Sequence, residues 1–335
     1  MTCGKLMLYL FLCEVILVAI VYYSRTLTLR TSSARGQQHP VTSGLPRPNV
    51  DQPPITNRNV NGAELAETNH ERHSHPRPTA GGMAFHPNET TCKTSVAIGL
   101  AITTRNAANG SYTELTEMPF FRSLLSSFCK TASERYDYRF YLSYDYNDEY
   151  LTERSFRVRM SAIFGDYASE MCPYSSAYSL RFVSCKYAGK PAWAQNDAMI
   201  EAYLSGIEYF YRINDDTVMT TGNWTERFID ALDRFTPPRI GAVGPKHQGG
   251  NLDILTYDFT HRIHVNIHGF YYPRKFPDWY ADRWITSVYK PGRSVKLQDV
   301  QLVHTMDQGR RYNKTKKADS EVERQVEEDR ISVIR

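Results

Sequence analysis

Runs of apolar residues alternate with polar clusters through the middle of the chain. Residues 96–102 form a continuous apolar run, and 138–143 and 208–213 are aromatic-rich segments that Arg139, Glu208 and Arg212 interrupt; each of the three ends abruptly in polar residues. Continuous apolar runs of this length are typical of central parallel strands. We therefore predict three buried strands that carry polar side chains at their carboxyl ends.

Between and after these runs, apolar residues recur every three or four positions, which predicts amphipathic helices. Their apolar faces are Phe120, Leu124, Leu125 and Phe128; Trp193, Ile200, Tyr203, Leu204 and Ile207; and Trp224, Phe228, Leu232 and Phe235. Pro191 opens the second helix in the position that proline favours. Asn223 and Glu226 are predicted to form the capping pair of the third.

The pattern is weaker towards the end of the chain. A short strand is predicted at 240–243, ending at Gly244 and Pro245, and 246–304 is predicted to be mostly irregular. The chain after Asn313 is nearly all charged, so either a solvated helix or a disordered end is expected. Strand, helix and strand with polar residues at each strand end is the pattern of a nucleotide-binding α/β layer.

The first ninety residues differ from the rest. Residues 6–23 carry a single charge, Glu14, and at ~1.5 Å per residue they span ~27 Å, which suits a thin bilayer. A signal anchor and a cleaved signal peptide both fit, but Tyr22 and Tyr23 make a poor cleavage site, which favours the anchor. The predicted organisation is a cytoplasmic tail 1–5, an anchor 6–23, a flexible stem 24–91, a folded domain 92–313 and a charged tail 314–335.

Sequons and cysteines indicate the side of the membrane on which the folded part lies. Asn-x-Ser/Thr sequons occur at Asn88, Asn109, Asn223 and Asn313, compatible with a lumenal body, and Asn88 and Asn313 are expected to be the better acceptors. The cysteines beyond the anchor are Cys92, Cys129, Cys172 and Cys185. Four cysteines in an oxidising lumen predict two disulfides, whereas four buried thiols in a cytosolic domain are the alternative.

Composition excludes two kinds of site. The formal net charge is +4 and the basic residues are dispersed, so nothing favours nucleic acid. The cysteine spacings resemble no zinc site.

The chemistry is concentrated where the 208–213 run ends, in Asn214, Asp215 and Asp216. In α/β sheets, ligands bind beyond the carboxyl ends of strands. Two carboxylates and an amide oxygen placed there form a cluster suited to Mg²⁺ or Mn²⁺, and such a metal most naturally serves a bound diphosphate. An acidic turn is the alternative, because Asn-Asp-Asp is also good turn chemistry.

These parts, in this order, resemble the GT-A superfamily of nucleotide-sugar-dependent glycosyltransferases over about residues 94–313. The likeness is greatest to Golgi type II membrane members whose acidic motif follows a Tyr-Phe-Tyr-rich strand. The resemblance implies an α/β, GT-A-like domain in which a mostly parallel, nucleotide-binding sheet is flanked by helices.

The resemblance also implies roles for the acidic motif. Asp216 would hold the metal, and Asp215 would reach the ribose or the metal. Asn214 stands where the family has its first carboxylate, which lowers the negative charge, although amide oxygens also ligate hard cations. His304 matches the histidine with which GT-A enzymes often complete the metal shell; a surface or core histidine is the alternative.

Further nucleotide contacts are implied at the strand ends. Thr103 and Arg105, after the first strand, would contact the nucleotide, and Asp145, after the second, would accept bonds from the base or the ribose. For each of the three, a plain strand-end polar residue is the alternative.

An inverting enzyme also needs a base that deprotonates the acceptor hydroxyl. Asp282, between Trp279 and Trp284, matches the region where GT-A enzymes place this carboxylate; a structural ion pair with Arg283 or Arg262 is the alternative. Nearby, one face of a predicted strand carries His264, Asn266 and His268 at alternate positions, and this face would line the acceptor cleft. A metal site at His261 and His264 is not favoured, because no third ligand stands at a suitable spacing.

The implied function is a metal-dependent glycosyltransferase of the secretory pathway. It would use Mn²⁺ or Mg²⁺ and a UDP- or GDP-linked sugar, and would act on a glycan, protein or lipid acceptor. The expected location is the Golgi membrane, type II with a lumenal domain, with the endoplasmic reticulum as the alternative. Two other functions stay open: an inactive GT-A-like scaffold or glycan-binding protein, and a metal-dependent phosphoester hydrolase.

Overall fold

A computed structural model describes residues 93–105, 114–173, 177–249, 251–305, 317 and 319–334. The predicted anchor and stem, Cys92 and the sequons at Asn88, Asn109 and Asn313 lie outside the described residues. Within these described ranges, no helix has both the length and the apolar character that crossing a membrane requires.

The described residues form a mixed α/β fold around an eight-stranded sheet. Its strands are β1 (Thr94–Ala101), β2 (Tyr136–Tyr144), β3 (Tyr178–Ser184), β4 (Tyr209–Arg212), β5 (Thr217–Met219), β6 (Ala242–Gln248), β7 (Phe259–His261) and β8 (Ser294–His304). Their order is β3-β2-β1-β4-β7-β6-β8-β5. The half from β3 to β4 is parallel, and the other half mixes antiparallel pairings with the parallel pair of β6 and β8.

The helices cover both faces of this sheet. They are α1 (a π-helical start, Phe120–Leu125, continued by Ser126–Thr131), α2 (Arg154–Met171), α3 (Pro191–Leu204), α4 (Trp224–Asp233), α5 (Ile263–His268), α6 (Ala281–Val288) and α7 (Asp319–Ile334). Alternate residues of β1 enter two separate hydrophobic clusters, because successive side chains of a strand point to opposite faces. A side chain at Gly99 would meet Met199 at 2.6 Å, so the glycine allows α3 to pack closely on β1.

The three predicted strands are confirmed as β1, β2 and β4. The register pairs Ala101 of β1 with Ser143 of β2, and Gly99 of β1 with Arg212 of β4. The carboxyl ends of the three strands therefore lie at the same edge of the sheet, which is where the polar clusters of the sequence meet.

The predicted helices are also confirmed, but the apolar face of the second helix and one cap are wrong. The face of α3 that is buried carries Ala192, Ala194, Ala198, Met199 and Ala202, whereas Leu204 is 73% exposed and Ile207 lies beyond the helix, because small side chains let α3 pack closely on the sheet. Pro191 occupies the first turn of α3, as expected. Asn223, however, has a left-handed backbone with φ of 55° and makes no side-chain capping bond. Glu226 instead accepts a hydrogen bond from Ser133 Oγ at 2.5 Å, so the predicted capping pair is wrong because its carboxylate is used in a tertiary contact.

The prediction that 246–304 is mostly irregular is wrong, since β7, α5, α6 and β8 lie there. The predicted end of the short strand at Gly244 and Pro245 is also wrong, because β6 runs on to Gln248. β6 pairs with β7 only through Ala242 and Val243, so Pro245 has no partner on that side that needs its missing N–H.

One disulfide, Cys129–Cys172, joins the end of α1 to the residue after α2. Cys185 is free and buried, so the prediction of two disulfides among the four cysteines is wrong. The backbone N–H of Cys185 donates to Tyr144 O at 2.9 Å, which holds the residue against the sheet, and burial raises the pKa of its thiol to about 12.

The charged end of the chain contains a helix, but not a solvated one. Val322, Val326 and Val333 of α7 share one face and are buried. Trp284 Nε1 of α6 donates to Asp329 Oδ2 at 2.9 Å, so α7 packs on the helix that carries Asp282. The apolar stripe was hidden in the sequence by the surrounding charges.

Candidate functional site

An open cleft lies at the shared carboxyl ends of β1, β2 and β4. It has a volume of about 580 Å³ including its mouth, and the first turns of α3 form its opposite wall. Five predicted site residues line it, namely Thr103, Arg105, Asp145, Asn214 and Asp215. The structure therefore brings together the polar ends of three strands that are distant in sequence.

A fully buried carboxylate, Asp148, fixes the end of β1. Its Oδ2 accepts hydrogen bonds from Thr103 Oγ1 and Thr104 N, both at 2.8 Å, and its Oδ1 accepts from Thr104 Oγ1 at 2.5 Å and from Leu151 N at 3.1 Å. Thr103 Oγ1 also accepts from Arg105 N at 3.1 Å. The Thr103 hydroxyl therefore serves the loop that shapes the cleft, a structural use that the sequence did not reveal.

Asp145 and Arg105 form a pair at the outer wall. Arg105 Nη2 lies 2.5 Å from Asp145 Oδ2, and the same oxygen accepts the backbone N–H of Gly189 at 2.8 Å. Arg105 Nη2 also donates to Asn147 Oδ1 at 2.9 Å. Asp145 thus connects β2 to the loop before α3, and its charge is balanced by the guanidinium.

Lys190 and Gln195, which the sequence did not single out, complete the wall formed by α3. Pro191 has no N–H to offer, and Ala192 N donates to Pro277 O at 3.0 Å. Gln195 is only 5% exposed, yet it lines the cleft. A polar residue inside an otherwise apolar helix face was the available signal for this position.

The acidic motif is divided between two sides of the turn after β4. Asn214 and Asp215 line the cleft, with Asp215 only 2% exposed. The turn is closed by a bond of 2.6 Å from Thr217 Oγ1 to Asn214 O. Asp216 lies on the other side, where its Oδ1 is 3.2 Å from His304 Nε2. The predicted partners Asp216 and His304 are thus adjacent.

Sheet register explains this adjacency. β5 begins immediately after Asp216 and pairs antiparallel with β8, so that Thr217 faces His304. Thr305 then donates to Asp216 O from both its backbone N, at 3.0 Å, and its Oγ1, at 2.9 Å. The end of β8 is therefore fixed against the acidic motif by backbone and side-chain bonds.

The donor chemistry of this pair fits a hard divalent cation. No group of three or more His, Cys, Asp or Glu residues is arranged for a metal within the described ranges. Mg²⁺, however, is usually bound by one or two carboxylates together with substrate phosphates. Asp216 supplies one such carboxylate, and His304 lies beside it at 3.2 Å.

Tyr257 lies beside His304 of this pair. Its ring centre lies 6.1 Å from that of His304 and 5.2 Å from that of His247. Burial is the main reason why the pKa of Tyr257 is raised, and the negative charges of Asp216 and Asp282 raise it further.

Asp282 is held in a partly buried position. Its Oδ1 accepts the N–H of Arg283 at 2.9 Å. Burial raises the pKa of its carboxyl group, and the nearby Arg212 opposes the effect. The predicted alternative of an ion pair with Arg283 is wrong, because that guanidinium pairs with Asp319 at 2.5 Å; Arg262 instead lies over the Tyr203 ring.

The two tryptophans beside Asp282 differ. Trp284 is fully buried and packs in the core, whereas Trp279 is 40% exposed. Only Trp279 is therefore accessible to a ligand.

A buried polar network lies beneath this region. Asp258 is fully buried and accepts hydrogen bonds from the hydroxyls of Tyr271, at 2.5 Å, and Tyr272. Burial raises the pKa of Asp258 to about 6, although Arg212 opposes this. Arg212 N donates to Asp258 O at 2.9 Å, so the network joins the 271–272 segment to β4. Only the residue types of this network could be read from the sequence.

The predicted strand face of histidines is wrong. β7 ends at His261, and Ile263–His268 is the helix α5, which ends at Gly269 with a left-handed φ of 73°. His264 is fully buried: its ring bonds to Tyr289 Oη at 2.6 Å and to Tyr271 O at 2.9 Å. Burial lowers the pKa of His264 to about 4. It is a core residue and lines no acceptor cleft.

No family model and no curated protein matches the chain. Among solved structures, TarS from S. aureus is similar over 64% of this chain, with a TM-score of 0.42 and 14% identity; the chain spans 36% of the length of TarS. A glucose-1-phosphate thymidylyltransferase from Bacillus anthracis, crystallised with sucrose, is similar over 63% of this chain and 89% of its own, with a TM-score of 0.40 and 9% identity.

Proposed function

We propose that this chain is a metal-dependent glycosyltransferase that moves a sugar from a nucleotide-sugar donor to an acceptor hydroxyl. One observation carries the proposal, which is the placement of the acidic motif. Asp215 lines a cleft at the carboxyl ends of three strands, and the neighbouring Asp216 lies 3.2 Å from His304. A cleft at this edge of an α/β sheet is where nucleotides bind, and the neighbouring pair fits a cation that the diphosphate would share.

In this proposal Asp216, His304 and Asn214 hold Mn²⁺ or Mg²⁺. The cation supplies Lewis-acid stabilisation of the negative charge that collects on the nucleoside diphosphate as the sugar leaves. Asp215 reaches the ribose or the metal. Arg105, Asp145 and the Thr103 loop form the part of the cleft that receives the nucleoside.

Asp282 takes the proton of the acceptor hydroxyl. A general base works best when its pKa approaches the working pH, and burial shifts the pKa of Asp282 in that direction. The exposed Trp279 offers an aromatic face beside it, on which an acceptor sugar ring would stack. In this proposal the molecule that receives the sugar is a glycan, a protein or a lipid of the secretory pathway, and the reaction takes place at the Golgi membrane.

The first test is nucleotide binding by the full-length chain, in detergent because of its apolar segment. Calorimetry would titrate UDP and GDP with Mn²⁺ and then with EDTA. We expect one nucleotide to bind in Mn²⁺ at least tenfold more tightly than in EDTA, and Asp216→Ala to lose that difference. Asp299→Ala, an exposed carboxylate paired with Arg227, is the control and should bind like the wild type. Absence of binding to both nucleotides by folded protein would overturn the proposal.

A second test separates a transferase from a scaffold. A panel of UDP- and GDP-linked sugars would be incubated with the wild type and with Asp282→Asn, and release of the nucleoside diphosphate would be measured. Release that depends on Mn²⁺ and on Asp282 supports transfer, with water as the slow acceptor. Metal-dependent binding without any release would favour a scaffold.

A further inference from the structure

The turn before α4 presents an exposed asparagine whose amide is unused. Asn223 has a left-handed backbone and makes no side-chain bond to the start of the helix, so the predicted cap that would have occupied this amide is absent. The residue is exposed, and its side chain makes no hydrogen bond to any residue in the part of the chain that the structure describes. Asparagine adopts this backbone more readily than most residues do. The amide nitrogen is therefore free to carry a substituent.

The neighbours of Asn223 explain why it lies at the surface. Trp224 and Thr225 are fully buried, and Thr225 Oγ1 lies 2.7 Å from Tyr138 Oη, so the start of α4 is anchored in the core. The preceding residue, Gly222, is exposed, and a side chain added there would meet nothing within 4 Å. The turn therefore opens to solvent just before the chain enters the core, and a bulky group has room there.

The turn also lies away from the predicted metal ligand His304. Thr221 Oγ1, in the same turn, accepts a hydrogen bond from Gln301 N at 2.9 Å. Gln301 precedes His304 by three positions on β8, which is about 10 Å along a strand. Arg227, in α4, pairs at 2.8 Å with Asp299, which lies still earlier on β8. A large group on the turn between these two contacts would leave the His304 end of the sheet open.

The exposed asparagine belongs to a recognised acceptor pattern. Asn223, Trp224 and Thr225 form a sequon for N-glycosylation, the one sequon that lies within the described ranges. The Cys129–Cys172 disulfide is typical of an oxidising compartment, and this modification takes place in such a compartment. Because the Thr225 hydroxyl that the pattern requires is buried in the folded protein, the transfer has to precede folding of this segment.

We infer that Asn223 carries an N-linked oligosaccharide, an inference that rests on the lumenal location in the proposed function and not on the transfer reaction. A bond forms between Asn223 Nδ2 and the anomeric carbon of the oligosaccharide, and the bond from that carbon to a polyprenyl diphosphate breaks. The diphosphate leaves with the electron pair of the broken bond, and a proton passes from Nδ2 to a base of the transferring enzyme. In the folded protein the sugar extends from the exposed turn, and no side-chain hydrogen bond of Asn223 is lost.

The test is occupancy of this one site in the full-length chain, produced in eukaryotic cells with a secretory pathway. Trypsin cuts after Arg212 and Arg227, and the peptide 213–227 between them contains a single sequon. Peptide-N-glycosidase converts a glycosylated asparagine to aspartate as it removes the sugar. Mass spectrometry of the treated protein should therefore find most of this peptide with aspartate in place of Asn223. In the untreated protein, the unmodified peptide should be a minor species.

Variants at two positions show whether the signal comes from the sequon. Thr225→Ser keeps the hydroxyl and should keep the glycan, whereas Thr225→Val keeps the size of the side chain and should lose the glycan. Asn223→Asp should also lose the glycan and should still fold, because the native amide makes no cap and aspartate tolerates a left-handed backbone. Thermal melting verifies folding, and any nucleotide binding that the wild type shows should be unchanged in Asn223→Asp.

The outcomes are distinct from those for the proposed function. If the peptide 213–227 is unmodified while other sequons carry glycans, the turn is not an acceptor and the inference is overturned. If no sequon carries a glycan, the inference and the lumenal location fail together, and metal-dependent nucleotide binding would still support the transferase. Occupancy of Asn223 in a folded chain that binds neither UDP nor GDP supports the inference and overturns the proposed transferase.

Discussion

Asp216 Oδ1 lies 3.2 Å from His304 Nε2 because β5, which starts just after Asp216, pairs with the last residues of β8. This relationship predicts that the two side chains act as one unit. His304→Ala should lower UDP affinity in Mn²⁺ at least tenfold, down to the affinity measured in EDTA, while leaving the EDTA value unchanged. Calorimetry in both conditions measures the effect. An equal loss in Mn²⁺ and in EDTA would show that His304 acts on the fold and not on a metal.

The strand ends show how far sequence reasoning reaches. A run such as 96–102 is apolar throughout, so its burial and its polar end could be predicted locally, and the order of the parallel strands then brings Thr103, Asp145 and Asp215 to one cleft. The contact of Asp216 with His304 depends on the register of β5 and β8, which local pattern does not contain. Only the family resemblance put the two residues in one predicted site.

The errors have a common physical cause. Asn223 and Glu226 have the right residue types for a cap, but the Glu226 carboxylate is used by Ser133 in a tertiary contact. His264 and His268 have strand-like spacing, yet they lie in a short helix whose burial comes from rings far along the chain. Tertiary partners decide these positions, and spacing does not reveal them.

Asp282 should control the pH dependence of turnover. Burial raises the pKa of its carboxyl group, although Arg212 limits the shift. A base must be ionised to accept a proton, so the rate should fall on acidification, and at a higher pH than for an ordinary carboxyl group. Asp282→Asn should lower the rate of nucleotide release at least a hundredfold, as loss of a general base does, with UDP affinity within about twofold of the wild type. A parallel loss of UDP binding would contradict the assignment.

The Cys129–Cys172 disulfide should contribute substantially to stability. It closes a loop across a sequence separation of 43 residues. A disulfide that closes a loop of this kind stabilises the folded protein by about 2–4 kcal/mol, mainly because it constrains the unfolded chain. Urea unfolding with and without reductant should show a loss of that size in the wild type and none in Cys129→Ala with Cys172→Ala. Cys185→Ala, which removes the free thiol, should remain sensitive to reductant.

The bond from Trp284 Nε1 to Asp329 Oδ2, at 2.9 Å, should be important for docking α7 on α6. Asp329→Ala leaves the indole N–H of a fully buried side chain without its acceptor, which should cost about 1–3 kcal/mol of unfolding free energy. Asp319→Ala removes an exposed carboxylate from the same helix and should change stability by no more than about 0.5 kcal/mol. Equal effects of the two variants in urea unfolding would refute the importance of the indole bond.

The buried histidines of α5 should make the fold sensitive to acid. Burial lowers the pKa of His264 to about 4 and that of His268 to about 3, below the ordinary value of 6.5. Because both values are lowered by folding, their contribution to stability is complete above pH 6.5 and is lost as the pH falls towards the folded values. At pH 5 the unfolding free energy should therefore be lower than at neutral pH by about 2 kcal/mol for each of the two histidines, because one pKa unit corresponds to about 1.4 kcal/mol.

His268→Phe tests this expectation. The ring of His268 lies among Phe270, Trp284 and Tyr289, so a phenyl ring has aromatic neighbours on several sides. The variant cannot be protonated, so its loss of unfolding free energy between pH 7.5 and pH 5 should be about 2 kcal/mol smaller than that of the wild type. The raised pKa of Asp258, about 6, acts with the opposite sign in this range but is common to both proteins. Urea unfolding at the two pH values measures the difference, and parallel losses would show that His268 is protonated in the folded state.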